Sequence, residues 1–210
     1  MANAVLALFA AMMLVMGALR AAIQRRHTGE IGTRRSMRPD GSLEWWALAG
    51  TDLGWLTVGG IGGAPVADLA GMSPLAILDH SMLRGVGVAV AVLGIVLAFT
   101  AQMAMGASWR TGIDEAERTT LVTTGAFRVV RNPVFAAATV AFIGLALMVP
   151  NAVAVAGLVV SVIGIEAQVR FAEEPYLRRV HGVAYTSYAS RVGRFLPGIG
   201  RLQPEHQYRS

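Results

Sequence analysis

"FIGLALMVPNAVAVAGLV", residues 142–159, decides the fold of this chain, because two apolar runs meet there at a single Pro–Asn pair. The first apolar run covers residues 133–149 and the second covers residues 152–172. Only Pro150 and Asn151 separate them, and both residue types interrupt helices and favour turns. The stretch therefore predicts a helical hairpin whose two helices pack against each other antiparallel.

The composition is typical of a membrane protein that crosses the bilayer several times. Of 210 residues, 54% are hydrophobic and 15% are charged, whereas soluble domains carry about 25% charged residues. The chain has no cysteine, which excludes disulfides, thiolate metal sites and cysteine nucleophiles. The net charge is +5, but no basic stripe alternates with aromatic residues, so we expect no nucleic-acid partner. The four histidines lack the spacing of metal ligands, and we expect no metal site.

Three further apolar spans precede the hairpin, at residues 3–23, 45–61 and 85–106. A spanning helix needs about 20 apolar residues, so the first and third are long enough, while the second is weak and contains Asp52. A charged residue inside a span needs a partner, which for Asp52 is an arginine or a bound ligand. The sequence predicts an all-α polytopic protein with about five transmembrane helices, ending in the hairpin and a cytoplasmic helical segment.

The chain divides into two regions by its motifs. Residues 1–106 hold the first three spans, and residues 107–210 hold the hairpin, the polar C-terminal segment and every motif suited to chemistry. We predict that the second region holds the functional site.

The arginines predict the orientation of the spans. All 18 basic residues are arginine, and sixteen of them fall in segments 24–42, 107–132 and the tail from residue 170. These segments alternate with segments that hold none, as the positive-inside rule requires. We expect the N-terminus outside and the C-terminus in the cytoplasm of a cell (inner) membrane.

The stretch "RNPVF", residues 131–135, has the features of a helix start at a membrane surface. Asparagine is a good N-cap and proline is favoured at the first helical position, so Asn132 and Pro133 begin the fourth helix. Free backbone N–H groups there suit an anion, and Arg128 and Arg131 add positive charge. The alternative is a capped helix with an ordinary basic collar.

A second polar cluster lies where the fifth span leaves the membrane, in "IEAQVRFAEEPYL", residues 165–177. On a helix, Arg170 is one turn from Glu166, Glu173 and Glu174. The hairpin brings this cluster back beside "RNPVF", which predicts a pocket at one membrane face, and Pro175 is expected to end or kink the helix. The alternative is a ladder of salt bridges at the interface.

Together these motifs resemble the isoprenylcysteine carboxyl methyltransferase and phospholipid methyltransferase superfamily. The resemblance rests on "LVTTGAFRVVRNPVF", residues 121–135, and "EEPYLRRVHGVAYTSYASRVGRFLP", residues 173–197, on either side of the hairpin. It implies an integral membrane enzyme that transfers a methyl group from S-adenosyl-L-methionine to a lipophilic acceptor. That acceptor is a carboxyl, amine or hydroxyl group of a lipid or prenylated compound.

The resemblance also implies site residues. The expected cofactor contacts are Leu121, Val122, Phe127, Asn132, Pro133, Phe135 and Glu173, joined by Arg131 and by the paired Tyr185 and Tyr188, which are suited to close over the pocket. Arg170 and Glu174 are expected to be catalytic. The chain departs from the family pattern at Asn132, which replaces a histidine, and at Phe127 and Phe135, which replace tyrosines. Two alternative functions stay open at this point: an NADPH-dependent membrane reductase of the steroid-reductase type and a non-catalytic membrane scaffold.

Overall fold

The computed structural model describes residues 1–31, 41–60, 62–106 and 120–203, without the side chain of Glu44. Six of the arginines used to predict orientation (Arg34, Arg35, Arg38, Arg110, Arg118 and Arg209) lie outside these residues.

The described part of the chain is helical, with seven α-helices in it. They are α1 (Ala2–Thr28), α2 (Leu43–Gly59), α3 (Ala64–Leu69), α4 (Ser81–Ala104), α5 (Pro133–Met148), α6 (Ala152–Gln168) and α7 (Glu174–Arg191). Helix α1 contains a π-helical segment, Leu14–Leu19, and a second one, Val169–Glu173, joins α6 to α7. Short 3₁₀ turns lie at Ala76–Leu78 and Gly125–Arg128.

All five predicted spans are helices, and the chain is an integral membrane protein. Within the described residues, α1, α4 and the continuous helix Ala152–Arg191 are long and apolar enough to cross a membrane. Helix α5 is a shorter apolar helix. Helix α2, which is the weak second span of the prediction, packs along α6. Asn151 begins α6 because its Oδ1 accepts a hydrogen bond from the backbone N–H of Ala154 at 2.9 Å.

The predicted packing of the hairpin is wrong. The most extensive helix contacts join α4 to α5 and α2 to α6, while α5 and α6 touch each other far less. Small residues explain this choice, because a Cβ atom added at Gly94 or Gly144 of α4 and α5 would overlap the backbone of the other helix. Spanning helices associate through small residues that let their backbones approach closely.

Small residues also allow α2 and α6 to approach closely. A Cβ atom at Gly54 would overlap Ser161, and one at Gly164 would overlap Thr51. Each helix of the hairpin therefore packs mainly against an earlier helix, α5 against α4 and α6 against α2. The turn at Pro150 and Asn151 connects these two helix pairs.

Pro175 does not end the helix, contrary to the prediction. The π-helical segment Val169–Glu173 leads directly into α7, with Pro175 in its first turn, where a missing backbone N–H is tolerated. The kink comes later, at Gly182, whose φ of 51° and ψ of −126° suit only glycine. The residues after the kink form a short helix that carries Tyr185 and Tyr188, as predicted.

Aromatic side chains lie at the centre of the apolar core. Phe142 of α5 is fully buried and stacks on Trp55 of α2, with ring centroids 5.2 Å apart. Phe9 of α1 also packs against Phe142, with ring centroids 6.2 Å apart. The core thus ties the N-terminal helices to the hairpin that carries the motifs.

Candidate functional site

The stretch before α5 is held by the chain that follows α7. The backbone N–H of Arg131 donates to the carbonyl of Gly193 at 2.8 Å, and that of Asn132 donates to the carbonyl of Arg194 at 3.0 Å. A short parallel bridge therefore fastens the "RNP" stretch to the C-terminal tail.

Asn132 occupies the N-cap position of α5, with Pro133 at the start of the helix as predicted. Its side chain, however, forms no capping bond, which corrects that part of the prediction. Instead its Nδ2 donates to the carbonyl of Arg194 at 3.2 Å, because the tail brings that acceptor within reach.

Arg131 is buried and serves mainly as an internal clamp. Its Nη1 donates to the carbonyls of Ala189 and Val192, each at 2.8 Å. Its Nη2 donates to Oε1 of Glu174 at 2.7 Å and to the carbonyl of Gly200 at 3.0 Å. The four Nη hydrogens are thus engaged by the protein, and only Nε–H is buried without an acceptor among the described residues.

Glu174 is the carboxylate at the centre of this clamp. Its oxygens also accept from Arg194, through Nε at 2.7 Å and Nη2 at 3.0 Å. Burial alone would raise the pKa of Glu174, but the hydrogen bonds and charges of Arg194 and Arg131 lower it below its usual range. The carboxylate is therefore held ionised between two guanidinium groups.

Glu173, the neighbouring acid, has a different environment. It is partly buried, and its Oε1 accepts from Nε2 of Gln168 at 2.8 Å. Arg170 points elsewhere: its side chain is half exposed and pairs with Glu166 at 2.5 Å. The segment "RFAEE", residues 170–174, thus directs Arg170, Glu173 and Glu174 into three different surroundings.

A cavity of about 410 Å³ lies against the middle of α1 and α2, the ends of α4 and α6 and the start of α5. That volume is within the range of small-molecule sites, about 300–1,000 Å³. The structure brings all ten predicted cofactor residues to its walls: Leu121, Val122, Phe127, Arg131, Asn132, Pro133, Phe135, Glu173, Tyr185 and Tyr188. Arg170 and Glu174, the two predicted catalytic residues, do not line it.

The two tyrosines are buried, with their rings 6.3 Å apart. The hydroxyl of Tyr188 donates to the carbonyl of Phe127 at 2.6 Å. Burial raises the pKa of Tyr188 to about 12 and also raises the pKa of Tyr185, which the charge of Glu174 raises further. Both hydroxyls are therefore neutral hydrogen-bonding groups at physiological pH.

Sequence reasoning missed the part of the cavity that the N-terminal helices build. The residues concerned include Met13, Met16, Gly17, Leu48, Thr51, Asp52, Trp55, Gln102 and Met105. Asp52 within an apolar span was the one signal of this wall. Residues from both predicted regions, 1–106 and 107–210, line this one cavity.

Comparisons with known proteins agree with the motif resemblance. Residues 83–184, just under half of the chain, match the family model "Phospholipid methyltransferase". No curated protein sequence matches the chain significantly.

The fold is similar to a solved structure of a eukaryotic intramembrane Ras methyltransferase, isoprenylcysteine carboxyl methyltransferase. The TM-score is 0.61 and the identity is 21%, over 93% of this chain and 68% of that one. The family match favours methyl transfer over the reductase and scaffold alternatives.

Proposed function

We propose that the chain is an integral membrane methyltransferase of the phospholipid methyltransferase superfamily, and that it transfers a methyl group from S-adenosyl-L-methionine to a lipophilic acceptor. The observation that carries the proposal is the convergence of both motifs on one cavity. Residues from the "RNPVF" stretch, the "EE" pair and the paired tyrosines come together there, although more than 60 residues separate Leu121 from Tyr185.

The cavity residues fit the donor by their chemistry. S-adenosyl-L-methionine has an ammonium, a carboxylate, ribose hydroxyls and an aromatic base, and it supplies a methyl group on a positively charged sulfur. Glu173 is suited to the ammonium or the hydroxyls. The buried Nε–H of Arg131 is suited to the carboxylate, because it has no protein acceptor among the described residues. Phe127 and Phe135 offer apolar surface to the base.

The protein contributes to the reaction mainly by position. Methyl transfer is an in-line displacement, so it is accelerated by holding the two reacting atoms in contact and in line. The last turns of α7 carry Tyr185 and Tyr188 on one wall, and the clamp of Arg131, Glu174 and Arg194 fixes that wall against α5. In this proposal Glu174 is a positioning residue.

Arg170 has no such position in the structure. Its side chain is exposed, and we propose that it contacts the headgroup of the acceptor.

The proposed orientation places the cavity at the cytoplasmic face. Arg128, Arg131, Arg170 and Arg194 all belong to segments at the end of the bundle where the cavity lies, and arginines favour that face. A water-soluble donor would then enter from the cytosol, while a lipophilic acceptor would enter from the bilayer.

The direct test is ligand-induced stabilisation of the detergent-purified protein. We expect S-adenosylhomocysteine to raise the unfolding temperature, because a ligand at 100 times its Kd stabilises by about 2.7 kcal/mol. NADPH at the same concentration is the matched control and should give no shift. A shift with NADPH and none with S-adenosylhomocysteine would overturn the proposal.

A further inference from the structure

The chain that follows α7 forms a turn with an apolar surface. It consists of residues 194–201, "RFLPGIGR", and we call it the tail turn. The side chains of Leu196 and Ile199 are 58% and 63% exposed, and Pro197 between them is exposed as well. Neither apolar residue is among the described residues that line the cavity, so the proposed methyl transfer does not account for them.

The backbone holds the tail turn in one shape. The N–H of Arg194 donates to the carbonyl of Ile199 at 2.8 Å, and the N–H of Ile199 donates to the carbonyl of Leu196 at 3.1 Å. Gly193 permits this closure, because a Cβ atom there would overlap the carbonyl oxygen of Leu196. The turn therefore presents its apolar side chains already ordered, which lowers the entropy cost of binding.

The attachment of the tail turn to α5 indicates its depth in the membrane. The N–H of Asn132, the residue before α5, donates to the carbonyl of Arg194, the first residue of the turn. Helix α5 packs along the spanning helix α4 and has 16 residues, so it is about 24 Å long. The hydrocarbon core of a bilayer is about 30 Å thick. A helix this short places its start, and the tail turn beside it, at the level of the headgroups.

A contact with α6 indicates the same depth. Val159 and Ile163 are exposed one helical turn apart, on the lipid-facing side of this spanning helix. Glu166 follows three residues later, so the exposed surface changes there from apolar to charged, as expected at the headgroups. Nη1 of Arg194 lies 3.9 Å from Oε2 of Glu166. The tail turn therefore begins where the lipid-facing surface of α6 ends.

Three exposed arginines flank the tail turn: Arg128, Arg191 and Arg201. The first two each precede by two residues a member of the parallel bridge. Nη2 of Arg201 lies against the turn, 3.5 Å from the position of a Cβ atom at Gly198. Among the described residues none of the three forms an ion pair, and residues 175–204 contain five arginines and no acid. The surroundings of the turn are thus suited to a negatively charged surface.

We propose that the tail turn docks on the bilayer at the membrane face where α5 begins. Leu196 and Ile199 then lie among the lipids close to the headgroups, and the three arginines bind anionic headgroups. Apolar side chains are stabilised by leaving water, and each arginine near an anionic leaflet adds attraction. This inference concerns the membrane and is independent of the proposed methyl transfer.

Docking also bears on the cavity, because the tail turn is part of the clamp. Nε of Arg194 donates to Oε1 of Glu174, and the carbonyl of Gly200 accepts from Nη2 of Arg131. The lipids therefore hold from outside the same segment that the clamp holds from inside.

The test makes use of the absence of cysteine, since an introduced cysteine is then the sole site for a thiol-reactive fluorophore. Leu196→Cys in the full chain is labelled and placed in lipid nanodiscs with one protein per disc. Quenching is measured with lipids that carry a nitroxide high on the acyl chain and, separately, with iodide in the water. We expect strong quenching by the nitroxide lipid and weak quenching by iodide.

Two further labelled variants provide reference values. Ile163→Cys places the label on the lipid-facing side of α6, and Ser187→Cys places it at an exposed polar position of α7. Lipid quenching of the Leu196 label should be close to that at Ile163 and several-fold greater than that at Ser187. A Leu196 label that behaves like the Ser187 label would overturn the proposal. A label shielded from both quenchers would show that protein, such as a second copy of the chain, covers the turn, and would overturn it as well.

Ile199→Cys is the second labelling position, at the other apolar side chain of the turn. Thermal unfolding, compared with that of the cysteine-free parent, shows whether each labelled variant is folded. If Leu196→Cys fails to fold, the Ile199 label decides the outcome. We expect the same strong lipid quenching there, and quenching by iodide alone would contradict docking.

The role of charge is tested by changing the headgroup of the nitroxide lipid from phosphatidylcholine to phosphatidylglycerol. At equal mole fractions, we expect the anionic lipid to quench the Leu196 label more strongly. Arg201→Gln should lower this local enrichment about fivefold. Arg178→Gln is the control, because Arg178 is an equally unpaired, exposed arginine of α7 that lies before the kink. Equal quenching by the two lipids, or equal effects of the two variants, would refute the binding of anionic headgroups.

Discussion

Arg131 and Glu174 are 43 residues apart in the chain, yet Nη2 of the arginine donates to Oε1 of the glutamate at 2.7 Å. Their side chains are 2% and 6% exposed, so this ion pair is inside the protein. It joins the start of α5 to the start of α7, and Arg194 adds the tail to the same carboxylate. The pair fixes one wall of the cavity.

Replacing Glu174 by alanine should destabilise the protein by about 3–5 kcal/mol, because two buried guanidinium groups would lose their counter-ion. The measurement is chemical or thermal unfolding in detergent. Asp79→Ala is the control, since Asp79 makes a partly exposed pair with Arg84 that should contribute less than about 1 kcal/mol. An equal decrease in the free energy of unfolding in both variants would show that the buried ion pair contributes no more to stability than the exposed one.

The stability should fall in acid because of the same carboxylate. The pKa of Glu174 is lower in the folded state than its unfolded value of about 4.3. Its contribution is therefore fully present above that value and is lost as the pH falls through the folded pKa. We expect a wild-type free energy of unfolding that decreases below about pH 4.3, and a smaller decrease in Glu174→Gln. Identical pH profiles would assign the acid sensitivity to other groups.

Glu173→Ala should abolish stabilisation by S-adenosylhomocysteine while the protein stays folded. Glu173 lines the cavity and is only partly buried, so its removal deletes a ligand contact rather than a core group. Glu166→Ala, seven residues earlier and outside the cavity, should retain the full shift. Unchanged binding by the Glu173 variant would mean that the donor is held elsewhere.

Helix pairing can be tested with two glycines. Gly144→Ala would place a methyl group against the backbone of Ala91, so it should destabilise the protein by about 1–3 kcal/mol. Gly85→Ala, at an exposed position of α4 with nothing within 4 Å, should be neutral or stabilise by up to about 1 kcal/mol. Thermal unfolding of both variants would measure the difference. A tolerated Gly144 variant would contradict the close contact of α4 with α5.

Much of the fold could be read from local patterns. The five apolar runs, the Pro–Asn turn and Pro133 at the start of α5 are all properties of short segments, and each is present in the structure. The residues of the two motifs could also be named, because a resemblance to a family carries positions along the chain. For that reason all ten predicted cofactor residues line one cavity.

Other features depend on contacts between distant segments. A turn between two helices indicates that they are neighbours in the chain, but small residues such as Gly94 and Gly144 decide which helix surfaces can approach. Likewise, the sequence shows that Arg131 is basic, but not that the tail returns to occupy both of its Nη atoms.

The sequence by itself determined the membrane-spanning helices and the family motifs, because hydropathy and local motifs act over one helix at a time. Only the tertiary structure decided which helices pair, which charges are buried and that α1, α2 and α4 complete the cavity. These outcomes depend on shape and on the loss of hydration when separate segments meet, and no single segment contains that information.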